Sequence, residues 1–124
     1  MRHYKADPIP NLMWAAGFLD GEGSFTSGKG SPIVQGHQVS IEPLIELQRL
    51  FGGSIACYSR PNNPKAQPIH VWTVCGSRAA GVMMTLFTLL TERRQEQIKN
   101  VLVKWRALKG RPKTKQDAIR GSLT

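Results

Sequence analysis

The stretch Trp14–Phe25, WAAGFLDGEGSF, decides how this chain is read. Ala15, Ala16, Gly17, Phe18 and Leu19 make a small-residue helical run that passes straight into Asp20-Gly21-Glu22-Gly23, and Ser24-Phe25-Thr26 has strand character. Gly17 and Gly21 are four residues apart, so they share a helical face that another backbone can approach closely. The acids arrive at the C-terminal end of the helix, where the macrodipole is already negative. A carboxylate there is costly unless a cation lies beside it. The plain alternative is a helix cap with solvated acids, a common surface arrangement.

Working outward, the spacing predicts a first helix from an Asn11 cap to Gly21. A hairpin follows, with strands over 22–27 and 33–38 around Gly28-Lys29-Gly30. Ser40 reads as the cap of a second helix that carries Pro43 in its first turn. Leu44, Leu47, Leu50 and Phe51 keep helical spacing and form its buried face, and Gly52-Gly53 end it. Strands over 54–59 and 69–75 flank a connection stiffened by Pro61, Pro64 and Pro68. Ser77 can cap a helix over 78–90, and a last helix spans 92–109 with Ile98, Val101, Leu102, Trp105 and Leu108 on one stripe. Pro112 stops it. The order is α-β-β-α-β-β-α with an extra helix before the last, an α+β pattern without internal repeat. It divides into one domain over 1–110 and a basic, flexible C-terminal tail over 111–124.

The chain has 124 residues and a net charge of +9, enough for one domain and indicative of a polyanionic partner. The charge is uneven: residues 1–92 hold seven Lys/Arg against six Asp/Glu, whereas residues 93–124 hold ten against two. The alternative for that basic segment is a solubilising surface. Cys57 and Cys75 lack CxxC spacing, which argues against a zinc ribbon or redox pair; they are expected to act as small buried hydrophobes in a reducing compartment. Trp14, Trp72 and Trp105 are expected in the core. Met1–Pro10 has no signal-peptide core, and the nearly apolar run Ala79–Leu90 is too short to span a bilayer. The expectation is a soluble intracellular protein with no membrane partner, from a bacterial or phage-infected cytoplasm, with an organelle left open.

The nine residues Ala15–Gly23 resemble the LAGLIDADG motif of a family of homing endonucleases. Ala15 stands where the motif has Leu, and Glu22 where it has Asp; Ala still packs in a helix crossing, and Glu keeps the carboxylate. The likeness extends from about Asn11 to Arg106. LIELQRLFGGS over Leu44–Ser54 is similar to the family's helix and double glycine, and LLTERRQEQIKNV from Leu89 to its basic late segment.

The resemblance implies a twisted antiparallel saddle of αββαββα order and a homodimer joined through two motif helices. The interface would be Ala15, Ala16, Gly17, Leu19 and Gly21; the alternative is that this face packs within one chain. Dimerisation would bring two Glu22 carboxylates together, and a divalent cation would relieve their repulsion. The oxygen-rich site suits Mg²⁺, with Mn²⁺ or Ca²⁺ as substitutes, held by Glu22 and a carbonyl such as that of Gly21. The implied activity is metal-assisted phosphodiester hydrolysis of double-stranded DNA at a long, roughly palindromic target, the activity of intron, intein or free-standing homing genes. Gln38 matches the polar residue near the end of strand 2, and Arg93, slightly ahead of Arg94, the late cation near the cleaved phosphate. Asp20, outside the family's metal-ligating position, is expected as a helix-end or water-mediated support residue. For Gln38 an exposed strand residue, and for the arginines an ion pair with Glu96 or plain solvation, stand beside these readings.

DNA reading falls to the sheet and its connections: Lys29, Gln35, His37, Tyr58, Arg60, Asn62, Lys65, His70 and Thr73. Arg94, Arg111, Lys113 and Lys115 would serve phosphates. Alternate strand residues face opposite ways, so about half of the strand candidates must point elsewhere. The alternative function is a non-cleaving LAGLIDADG-like RNA maturase or DNA-binding protein, and a third is a small basic structural nucleic-acid protein.

Overall fold

The computed structural model, which describes residues 8–59, 62 and 65–109, has the element order α1 (Pro8–Glu22), β1 (Gly23–Gly28), β2 (Ser31–Gln38), α2 (Glu42–Phe51), β3 (Ser54–Tyr58), β4 (Ile69–Cys75), α3 (Gly76–Leu86) and α4 (Glu92–Lys109). A 3-10 turn, Phe87–Leu89, leads from α3 towards α4. The strands form one antiparallel sheet in the order β1-β2-β4-β3. The expected α+β order is therefore present. Arg60, Arg111, Lys113 and Lys115, and the whole 111–124 segment, lie outside the described residues. No helix among the described residues is long and apolar enough to cross a membrane.

All four helices pack against the sheet. Strand alternation turns Phe25, Val34, Trp72 and Val74 to the helical side, where they meet Ala15, Ala16 and Leu19 of α1, Leu44 and Leu47 of α2, Met83 and Leu86 of α3, and Ile98 of α4. Each large side chain so buried contributes about 1.5–3 kcal/mol of transfer free energy. The β1–β2 hairpin closes on Lys29 (φ 55°) and Gly30 (φ 83°), the paired positive angles of a tight two-residue turn. Pro32 is tolerated in β2 because pairing with β4 begins one residue later, at Ile33↔Cys75.

The double glycine ends α2 for a steric reason. Gly53 has φ 97°, and a Cβ there would lie 2.6 Å from the Thr73 carbonyl oxygen and 2.5 Å from the Val74 side chain. The Gly52 carbonyl accepts a hydrogen bond from the Trp72 indole N–H at 2.8 Å, so this turn also satisfies the buried tryptophan.

Several expectations change. Helix α1 starts at Pro8 rather than at an Asn11 cap, since prolines fit a first helical turn. Ile41 occupies the cap position of α2, while the Ser40 hydroxyl donates to the Glu42 carboxylate. Cys75 caps α3, and its regular helix ends at Leu86 rather than Leu90. Cys57 and Cys75 are both exposed, because β3 is an edge strand and Cys75 ends β4. Trp72 is fully buried, but Trp14 is exposed on α1, where it stacks on Phe18 at 5.6 Å.

The expected interface on α1 also divides. Ala15, Ala16 and Leu19 are at most 1% exposed and belong to the chain's own core. Gly17 and Gly21 are exposed, and a Cβ on either would meet nothing within 4 Å. With Met13 and Trp14 they form the outward face of the helix. The expected set mixed both faces because residues 15, 16 and 19 turn one way and residues 13, 17 and 21 the other.

Candidate nucleic-acid interface and acidic site

Glu22 is the last residue of α1, and Gly23 opens β1 without an intervening loop. Gly23 allows this junction: a Cβ there would lie 2.8 Å from both the Leu19 carbonyl oxygen and its side chain. Gly23 pairs with Gly36, so Glu22 stands at the end of the sheet where β2 finishes at Gln38. Glu22 is exposed, and no hydrogen bond or ion pair among the described residues engages it. Gln38 is half-buried, and its side-chain oxygen accepts the Val39 N–H at 3.0 Å, leaving its amide donors free.

The cation beside the α1 terminus is Arg94 and not Arg93. Arg94 shares the buried face of α4 with Ile98 and Val101, at helical spacings of four and seven, whereas Arg93 points to solvent. The Arg94 Nε donates to the Asp20 carbonyl oxygen at 3.0 Å and lies 3.7 Å from Asp20 Oδ1. Its Nη1 donates to Gln97 Oε1 at 3.0 Å, and its guanidinium sits 5.7 Å from the Phe25 ring centroid. Burial, then the neighbouring Arg93 charge, push the Arg94 pKa down from its ordinary value, and Asp20 opposes them. The Thr91 hydroxyl completes the cluster by donating to Asp20 Oδ1 at 2.8 Å. Thr91 and Gln97 were not foreseen in the sequence; the periodicity Arg94-Ile98-Val101 is the signal that points to this face of α4.

The cluster cancels part of the electrostatic cost at the α1 terminus. An orphan helix carbonyl receives a charged donor, and Asp20 receives a cation and a hydroxyl. Asp20 is thereby a tied structural acid, and Glu22 the free one. Glu22, Gln38 and the start of α4, with Arg93 and Arg94, gather at the same end of the fold. The described residues contain no cluster of three His, Cys, Asp or Glu able to hold a metal.

Among the described residues, the second face of the sheet carries no helix. Gln35, His37, Tyr58 and Thr73 project there, and the Gln35 Nε2 donates to Thr73 Oγ1 at 3.2 Å. His70 falls on the helical side by alternation, and its Nδ1 pairs with the Val39 carbonyl oxygen at 2.8 Å. Arg94, expected on phosphates, is 8% exposed and engaged at α1. Lys29 is exposed on the β1–β2 turn, and Asn62 and Lys65 on the β3–β4 connection.

No family model and no curated protein matches the chain. Among solved structures, it is similar to the homing endonuclease I-CvuI in complex with its target (Sro1.3) in the presence of 2 mM Ca, at 20% identity and a TM-score of 0.57, over 75% of this chain and 64% of that one. It is also similar to I-CvuI in complex with the I-CreI target (C1221) in the presence of 2 mM Mg, where the DNA is not cleaved, at 19% identity and a TM-score of 0.55, over 76% and 64%. The chain thus spans about 64% of the length of these structures. A four-stranded antiparallel sheet covered on one side by four helices, in this order and with this likeness, gives the chain the homing-endonuclease fold.

Proposed function

We propose that the chain is a site-specific double-strand DNA endonuclease that hydrolyses phosphodiester bonds as a homodimer with a divalent metal. The observation that carries this reading is Glu22, a carboxylate at the negative end of a helix, exposed and unpaired among the described residues, beside an uncovered sheet face. The fold likeness to an endonuclease crystallised with its target supports it.

The outward face of α1, with Met13, Trp14, Gly17 and Gly21, fits a second copy of the helix: two glycines permit close backbone approach, and two large apolar side chains gain cover. A two-fold pair would place two Glu22 carboxylates at the dyad and supply the acidic cluster that the described residues of one chain lack. Glu22 with helix-end carbonyls such as that of Gly21 is an all-oxygen donor set, which suits Mg²⁺ and accepts Mn²⁺ or Ca²⁺. When bound, such a cation supplies water of lowered pKa and neutralises charge on phosphoryl oxygens. Gln38 offers amide donors to orient a water or phosphate oxygen. Arg93, exposed at the same end, keeps the role expected of it near the cleaved phosphate, and Arg94 holds the acidic helix end in place behind it. Each protomer would cut one strand of a roughly palindromic duplex.

The test is to incubate the protein with DNA in which the two flanks of its own gene are fused, with and without Mg²⁺. A discrete double-strand cut that requires Mg²⁺ and disappears in Glu22→Gln is expected. Metal-independent cutting, or duplex binding with no cut under any divalent ion, overturns the endonuclease reading. Retention of precursor RNA in the absence of any cut transfers the scaffold to RNA work.

A further inference from the structure

The uncovered face of the sheet has no formal charge on it. Its central row crosses all four strands through register partners Ser24, Gln35, Thr73 and Ser54. Ile33 lies on one flank of that row, and Ala56, Val71 and Ile69 on the other. No Lys, Arg, Asp or Glu lies on this face of any strand, in a chain whose net charge is +9. Among the described residues, cations lie on the connections at the two ends of the strands instead: Lys29 at the β1–β2 turn and Lys65 between β3 and β4.

Major-groove chemistry makes that distribution informative. Guanine is read best by Arg or Lys on O6 and N7, and the cytosine amine by a carboxylate. Adenine is read by an amide on N6 and N7, and the thymine C5-methyl by apolar contact. The strands offer neither group of the first kind and both of the second. The Gln35 amide is already oriented, because its Nε2 donates to Thr73 while its Oε1 is left to accept. Ile33 and Ile69 are partly exposed and Ala56 is exposed, which leaves apolar surface for methyl groups; Val71 is 7% exposed and serves as their backing.

We propose that the base pairs beneath the middle of the sheet are A·T pairs, with adenine read by Gln35 and thymine methyl groups packed against Ile33, Ile69 and Ala56. This inference rests on the DNA-endonuclease reading and adds its substrate class. The cations on the connections then supply phosphate affinity that is blind to sequence.

The experiment selects duplexes from a randomised library with Glu22→Gln protein and resynthesises the selected site with uracil in place of thymine. The expected consensus has A·T pairs at the central positions of each half-site. Each contacted methyl removed by uracil weakens binding about fourfold, the worth of one buried carbon. Gln35→Arg, a change on the helix-free face, moves the preferred base at one position from adenine to guanine. A consensus rich in G·C at those positions, or equal binding of uracil and thymine duplexes, overturns the inference. If the wild-type protein cuts DNA while selection yields no such preference, the inference alone fails. If neither cutting nor duplex binding is seen, the function beneath it fails too.

Discussion

Three helix ends among the described residues carry acids, the end of α1 and the starts of α2 and α4, and the fold treats the first two in opposite ways. Glu42 stands at the N-terminus of α2, where the dipole favours a negative charge; the Ser40 hydroxyl, then its own backbone N–H, hold its carboxyl below the usual value, with His70 adding a small pull. Asp20 and Glu22 stand at the C-terminal end of α1, where the dipole opposes them. Asp20 is offset by Arg94 and Thr91, and Glu22 by nothing among the described residues. Folding accounts for Glu42 and Asp20. It does not account for Glu22, and an acid kept in an unfavourable place without a partner points to chemistry.

The sharpest way to break the contrast is Glu22→Gln. Cutting should fall by more than about a hundredfold, beyond the loss typical of a residue that only supports a metal ligand. The melting temperature should hold or rise slightly, because an exposed charge at the wrong helix end is removed. A fall of several degrees in a thermal melt would make Glu22 structural and erase the distinction.

The two faces of α1 extend the contrast. Leu19→Ala removes a fully buried side chain and should cost about 2–5 kcal/mol in urea denaturation. Gly17→Leu meets open space within the chain, so the monomer should remain as stable, while light scattering reports a shift from dimer to monomer. A Gly17→Leu protein that stays dimeric would move the interface off this helix.

The arginine pair sharpens the Asp20 side. Arg94→Ala should cost about 1.5–3 kcal/mol, the worth of a charged donor on a buried partner. Arg93→Ala should stay within about 0.5 kcal/mol, as an exposed substitution does. In a cycle with Asp20→Asn, coupling should appear for Arg94 and be absent for Arg93. Equal costs at both positions would mean that the phase of α4 does not decide which arginine serves the α1 end.

How much of this was legible depended on how far each signal was local. Period-two and helical spacings gave the element order, and Gly52-Gly53 marked a turn that Trp72 and Val74 leave no room to fill with side chains. The start of β1 at the motif was legible because Gly23 admits no side chain between Leu19 and Gln35. Which face of α1 is buried was not, because Ala15 and Ala16 suit a close helix crossing and a small core position equally; their burial depends on where the sheet lies. Arg93 and Arg94 are identical in composition and differ only in angle around α4. The exposure of Cys57 likewise follows from β3 being an edge strand, a fact of sheet order that no local window contains.

The smallest effect lies at the favourable end of the contrast and has a definite sign in pH. The folded pKa of Glu42 is lowered, so its contribution to stability is present above the ordinary carboxylate pKa and is lost as pH falls through the lowered folded value. Glu42→Gln should therefore melt slightly below the wild type near neutral pH, and the two curves should converge as pH falls below the lowered folded value, where the carboxyl is protonated in both states. Ser40→Ala should reproduce part of the difference, since the hydroxyl is the largest cause of the shift.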